Sequence, residues 1–174
     1  MAHEPRPVVF GEVLFDRFPD GSAVLGGAPF NVAWHLQAFG ARPLFISRVG
    51  ADPLGEDIRA AMAAWGMDTA GLQTDPTRPT GTVEVTFAGD EPRYDIVPGR
   101  AYDAVDAGAL PPLEAVSALY HGSLALREEA SRGAWQRLRQ GAGAPVFVDV
   151  NLRDPWWDPD TLPRLLEGDR KSVV

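Results

Sequence analysis

Two glycines followed by a helix-forming segment make the first candidate binding site in this chain. The segment, Gly26-Gly27-Ala28-Pro29-Phe30-Asn31, is called the glycine segment below. Glycines let the backbone approach a ligand closely, and the helix that follows presents free N–H groups there. The carboxamide of Asn31 combines donors with an acceptor, the mixture that vicinal sugar hydroxyls need. The alternative interpretation is an ordinary glycine turn with Asn31 as a local cap.

A second candidate residue is Asp16, in the segment Gly11-Glu12-Val13-Leu14-Phe15-Asp16. It lies just past the first predicted strand, near the edge where open α/β sheets bind ligands at the carboxyl ends of their strands. An ionised aspartate accepts two hydrogen bonds from hydroxyl groups. A solvated aspartate in a turn is the alternative interpretation of this position.

A third candidate segment, Asp149-Val150-Asn151-Leu152-Arg153, follows a later apolar strand. Arg153 can bind a phosphate or a carboxylate through two parallel hydrogen bonds. A turn at the end of the strand is an equally good interpretation. The three histidines show no metal-ligand spacing, so we predict no metal site. The glycine fingerprints of phosphate loops and of dinucleotide-binding folds are missing from this chain.

These candidates depend on an alternation of strands and helices. Apolar periodicity, capping signals and turn residues predict strands at 8–10 (continued by 12–18), 22–25, 44–49, 80–87, 93–97, 118–121 and 145–150, and helices at 28–39, 52–66, 128–140 and 158–167. This alternation predicts a mostly parallel sheet covered by helices. The polar hairpin at 80–97 predicts a separate small sheet, shared with the N-terminal segment because two strands alone are marginal.

Composition excludes several classes of protein. The 174 residues carry 24 acidic and 16 basic side chains, for a net charge of −8, which argues against a nucleic-acid partner. The chain has no cysteine, which excludes disulfides, thiolate zinc sites and cysteine nucleophiles. No apolar run approaches the ~20 residues of a membrane span, and the N-terminus lacks a signal-peptide core, so we expect a cytoplasmic protein without a membrane partner.

In order and spacing, seven segments together resemble the ribokinase-like (PfkB-type) carbohydrate kinases, and among them the fructokinases. The matching segments are Gly11-Glu12 with Asp16, Gly26 to Ala33, Arg48 to Gly55, Thr80-Gly81-Thr82, Arg93-Tyr94 with Ala101-Tyr102-Asp103, His121 to Leu124, and Asp149 to Arg153.

The resemblance implies a three-layer α/β fold, with a central mostly parallel sheet, helices on both faces and a small β-sheet lid near residues 12–25 and 80–98. It implies ATP-dependent phosphorylation of a sugar hydroxyl, on fructose or a related hexose or keto sugar. It assigns sugar binding to Asp16, Gly26, Gly27 and Asn31, with Tyr94 contributing from the lid. Arg153 would lie near the transferred phosphate or an anionic substrate group, with Asn151 beside it. Pairing of two copies through the lid is a further expectation.

The chain departs from the family in its length. Family members continue into an Asn-x-x-Glu segment linked to the metal, a Gly-Ala-Gly-Asp stretch with the catalytic base, and adenine-binding loops. None of these occurs here, so we expect residues 1–174 to be the N-terminal part of a single carbohydrate-kinase domain, incomplete at its C-terminus. We expect no catalytic base in this chain, and we expect ATP and Mg²⁺ to bind a complete family member but not this chain alone.

Two other interpretations stay open. The chain can be a catalytically inactive fragment that binds sugar or associates through its lid. A dinucleotide-binding oxidoreductase domain is the weaker alternative, because the glycine fingerprint is missing.

Overall fold

The computed structural model describes residues 4–89 and 91–151. Its helices and strands are β1 (Arg6–Phe10), β2 (Leu14–Arg17), β3 (Ala23–Gly26), α1 (Ala28–Ala38), β4 (Leu44–Gly50), α2 (Pro53–Ala64), β5 (Leu72–Asp75), β6 (Gly81–Ala88), β7 (Glu91–Ile96), β8 (Val116–Gly122), α3 (Glu129–Ala142) and β9 (Val146–Asp149). The helix expected at 158–167 lies outside the described residues.

Within the described residues, the central sheet has the strand order β5-β4-β1-β8-β9, and every neighbouring pair is parallel. Alternate side chains of β1 enter two different cores. Val8 and Phe10 pack on the face that holds Trp135 and Leu138 of α3. Val9 packs on the other face, against the α1 and α2 side chains of the second core cluster. Helices therefore cover both faces, and the expected three-layer α/β fold is confirmed.

A second, smaller sheet, called the lid sheet below, has the order β3-β2-β6-β7. Strand β2 pairs antiparallel with β3 and parallel with β6, and β6 pairs antiparallel with β7. The predicted hairpin at 80–97 is thus completed by strands from the N-terminal segment, as expected from the marginal stability of two strands alone.

Two details of the sequence-based prediction are wrong. Residues 12–18 do not continue β1, because the chain leaves the central sheet at Gly11 and β2 lies in the lid sheet. Strand β5 was not predicted, since Leu72-Gln73-Thr74-Asp75 is short and has only one apolar residue. It is nevertheless an outer strand of the central sheet, paired with β4 from Ser47 to Gly50.

The helix ends follow the local signals. The Asp52 side chain accepts a hydrogen bond from the Gly55 N–H at 2.9 Å, and Pro53 occupies the first position of α2. Gly40 has φ +76° just after α1, the left-handed conformation that commonly ends a helix. None of the helices in the described part of the chain is long and apolar enough to cross a membrane.

Candidate functional site

Three strands of the central sheet end at one edge beside the start of α1. Gly11 and Glu12 follow β1, Gly122 ends β8 and Asp149 ends β9, where Gly122 and Asp149 are register partners. The carboxyl ends of parallel strands form the usual ligand-binding edge of an open α/β sheet. The structure therefore brings the first and third candidate segments of the sequence to the same edge.

Two glycines allow α1 to start directly against this edge. Gly27 has φ +109°, and a Cβ there would lie 2.6 Å from the Glu12 carbonyl oxygen. A Cβ on Gly122 would lie 3.0 Å from Pro29 Cγ. The glycine segment is thus packed against the chain that follows β1, and its backbone conformation is one that other residues rarely adopt.

Asp16 lies beside the glycine segment although it belongs to the lid sheet. Its Oδ2 atom is 3.5 Å from where a Cβ on Gly26 would be. The side chain is half-buried, and burial raises the pKa of its carboxyl group. Asn31 is exposed in the first turn of α1, where its backbone N–H donates to the Gly27 carbonyl oxygen at 2.8 Å.

Tyr94 shares one face of the lid sheet with Asp16. Tyr94 of β7 pairs with Val85 of β6, and Asp16 of β2 pairs with Val83 of β6. Side chains two positions apart on a strand point to the same face, so Tyr94 and Asp16 are on one side with β6 between them. Tyr94 is 49% exposed.

The third segment is only partly described. The Ser123 hydroxyl donates to the backbone carbonyl of Asn151 at 3.0 Å, which ties the segment after β9 to the end of β8. The Tyr120 hydroxyl donates to Asp149 Oδ2 at 3.1 Å, and burial raises the pKa of this tyrosine. Arg153 lies outside the described residues, so its expected position near a phosphate stays a prediction.

Glu12 is a site residue that the sequence analysis gave no role. It is 4% exposed at the end of β1, and burial raises the pKa of its carboxyl group to about 7. The signal was present in the sequence, because Glu12 interrupts a run that is otherwise apolar or glycine from Val8 to Phe15. A charged residue within such a run indicates a buried carboxyl group, and those are rare without a partner.

A buried ion pair lies where the chain returns from the lid sheet. Arg127 donates from Nε to Asp103 Oδ1 and from Nη2 to Asp103 Oδ2, each at 2.8 Å. The same guanidinium donates to the Val97 carbonyl oxygen at 3.2 Å, just after β7. The pair therefore anchors the exit of the lid sheet to the segment that precedes α3.

Among the described residues, no group of three or more histidine, aspartate or glutamate side chains is placed to hold a metal ion. The part of the chain that the structure describes therefore does not by itself fit a magnesium site. The glycine segment has the carboxyl group of Asp16 beside Gly26 at one end and the exposed residue Asn31 at the other.

Comparison with known proteins identifies the family of the chain. Residues 8–168 match the family described as pfkB family carbohydrate kinase. The chain is 34% identical to a fructokinase of Klebsiella pneumoniae over 170 residues, covering 91% of this chain and 55% of that protein. It is 32% identical to a fructokinase of Escherichia coli, covering 90% of this chain and 54% of that protein. The chain thus spans about half the length of the curated relatives it matches.

Solved structures show the same fold. A sugar kinase from Pyrococcus horikoshii superimposes with a TM-score of 0.83 at 27% identity, covering 92% of this chain and 61% of that one. Apo fructokinase from Vibrio cholerae gives a TM-score of 0.80 at 26% identity, covering 94% of this chain and 61% of that one. The resemblance stated from the sequence is confirmed: the chain belongs to the pfkB family of carbohydrate kinases.

Proposed function

We propose that this chain is the sugar-binding, N-terminal part of an ATP-dependent kinase that phosphorylates a hydroxyl of fructose or a related hexose or keto sugar. The observation that carries the proposal is the placement of the Asp16 carboxyl group beside Gly26, next to the start of α1. A carboxylate at one end of the glycine segment and a carboxamide at the other would supply the acceptors and donors that a polyol needs. The related fructokinase of Vibrio cholerae has been crystallised with fructose, ADP and calcium.

Each residue has a definite part in this proposal. The Asp16 carboxylate accepts hydrogen bonds from two sugar hydroxyls, and Asn31 donates to one and accepts from another. Gly26 and Gly27 bring backbone groups near the ring, and Tyr94 covers the sugar from the lid sheet. Arg153, with Asn151 beside it, is expected to bind the transferred phosphate or an anionic group of the substrate. ATP with Mg²⁺ supplies the phosphoryl group in a complete family domain, where positioning and charge stabilisation account for most of catalysis.

Calorimetric titration of the purified chain with fructose tests the proposal. The substitution Asp16→Asn is expected to weaken binding by about tenfold to a hundredfold, since a hydrogen bond to a charged group contributes about 1.5–3 kcal/mol. The matched control is Asp57→Asn on α2, an exposed aspartate away from the glycine segment. Equal affinity in both variants, or no binding of fructose, ribose or 2-keto-3-deoxygluconate to the unsubstituted chain, would contradict the proposal.

Association through the lid sheet is a second candidate function, favoured by exposed apolar side chains. Val24 and Phe87 are 54% and 55% exposed, and strand register places both on the face that carries Asp16. Large exposed apolar groups on one surface mark sites of association. We expect two copies of the chain to pair through this face.

Sedimentation velocity tests the pairing. Phe87→Asp is expected to convert a dimer to a monomer, because it places a charge in an apolar contact. Thr86→Asp is the matched control, since Thr86 is the neighbouring exposed residue on the opposite face of β6. A monomeric unsubstituted chain, or a dimer that both substitutions leave intact, would rule this interface out.

A further inference from the structure

Glu12 is a buried carboxyl group that the proposed function does not use. Its Oε2 atom has no hydrogen-bond partner within the described part of the chain. An unpartnered buried polar atom costs stability, about 1–3 kcal/mol, and such groups are unusual enough to need a reason. The residues around Glu12 suggest the reason why this group is buried.

Glu12 lies between the start of α1 and the end of β8. Its carbonyl oxygen would be 2.6 Å from a Cβ on Gly27, and its Oε2 would be 3.5 Å from a Cβ on Gly122. The backbone N–H groups of Glu12 and of Ala28, the first residue of α1, both interact with the carboxyl group. The main chain of Glu12 therefore lies against Gly27, and its side chain lies against the next residue, Ala28.

The electrostatic surroundings favour the neutral acid. Burial is the largest effect on the pKa of Glu12 and raises it, and the charge of Asp149 raises it further. The two backbone N–H groups and the Arg127 charge lower the pKa, but the net result is a value of about 7. Tyr102 and Tyr120 also face this carboxyl group, and both have raised pKa values, so they stay neutral in the same range.

We propose that Glu12 is a positioning residue, whose carboxyl group holds the first turn of α1, and with it Gly27, against the carboxyl edge of the central sheet. The proposal rests on the proposed sugar binding, because its effect on function is exerted through the glycine segment. The neutral acid fits the present packing. Ionisation of the buried Glu12 side chain adds a negative charge near that of Asp149, and the first turn of α1 must shift to accommodate it.

The positioning can be measured without any sugar. In NMR spectra of the isotopically labelled chain, the backbone amide resonances of Gly27 and Ala28 are expected to shift with pH, with a midpoint near pH 7. In Glu12→Gln, which keeps the shape and removes the ionisation, this titration is expected to disappear. Glu56→Gln is the matched control, an exposed glutamate in the first turn of α2. If both amides titrate in Glu12→Gln as they do in the unsubstituted chain, the proposal is wrong.

Fructose affinity then tests the effect on function. We expect the dissociation constant of the unsubstituted chain to rise by about tenfold between pH 6 and pH 8.5, since one ionisation changes affinity by at most about tenfold per pH unit. Glu12→Gln is expected to bind as the unsubstituted chain does at pH 6, with no change up to pH 8.5. Protonation of Asp16 also weakens binding, but it does so as the pH falls, whereas ionisation of Glu12 weakens binding as the pH rises. The direction of the pH dependence therefore distinguishes Asp16 from Glu12.

Two results separate failure of this proposal from failure of the sugar-binding proposal. Binding of fructose with the same pH dependence in the unsubstituted chain and in Glu12→Gln would overturn the role of Glu12 and leave sugar binding intact. If no sugar binds at any pH while the Ala28 amide titrates only when Glu12 is present, sugar binding fails and the positioning of α1 is supported.

Discussion

Gly27→Ala is expected to abolish fructose binding and to destabilise the chain strongly. Gly27 has φ +109°, and an alanine there is strained by about 1–3 kcal/mol. The added Cβ would also lie 2.6 Å from the Glu12 carbonyl oxygen and 3.2 Å from the Val13 Cα. Both neighbours are backbone atoms, so relief requires movement of the chain after β1, and overpacking of this kind costs about 1–3 kcal/mol more.

Gly21→Ala is the matched control for this substitution. Gly21 has φ +85°, but a Cβ there would meet nothing within 4 Å. Gly21→Ala should therefore show the backbone strain alone, about 1–3 kcal/mol in urea unfolding, with fructose affinity unchanged. Equal losses in the two variants would show that conformation, and not the close approach of α1 to Glu12, determines the cost at Gly27.

Arg127→Ala is expected to lower the free energy of unfolding by about 3–5 kcal/mol, because it leaves the Asp103 charge buried and unpaired. The two side chains are 8% and 3% exposed. Arg127 also donates to the Val97 carbonyl oxygen, so the exit of the lid sheet loses an anchor. Urea unfolding, followed by tryptophan fluorescence, measures the loss.

Two further variants identify the cause of that loss. Arg42→Ala breaks the pair with Glu4, which has a shorter distance of 2.6 Å but side chains that are 70% and 82% exposed. We expect a cost there of less than about 1 kcal/mol, since water screens exposed pairs. Replacing Arg127 and Asp103 together by leucine should recover much of the stability, because no unpaired charge remains. A large effect of Arg42→Ala, or no recovery in the double variant, would contradict this account.

The sequence by itself was sufficient for the elements whose signals are local. The Asp52-Pro53 start and the apolar periodicity up to Gly66 predicted α2, found at Pro53–Ala64. The apolar run at 145–150 predicted a parallel strand, found as β9. Capping, periodicity and turn chemistry act over a few residues, so they can be recognised without the rest of the molecule.

The family was also recognisable from the sequence, because seven weak segments occur in the same order and spacing. Residue chemistry singled out the glycine segment and Asp16 as candidates, and the family resemblance then assigned sugar binding to them. The structure then places Asp16 beside Gly26 through the lid sheet, a contact that spacing along the chain does not determine.

Tertiary structure alone decided the assignments that depend on distant partners. Alternation along residues 12–18 suits a strand in either sheet, and the family resemblance predicted this segment in the lid; pairing with β6 places β2 in the lid sheet. Strand β5 has little apolar character and is a strand because β4 offers it an edge. The surroundings of individual side chains also depend on residues that are distant in the sequence. The fold buries the carboxyl group of Glu12, and this burial raises its pKa to about 7. The fold also brings Arg127 to Asp103, which is 24 positions away along the chain.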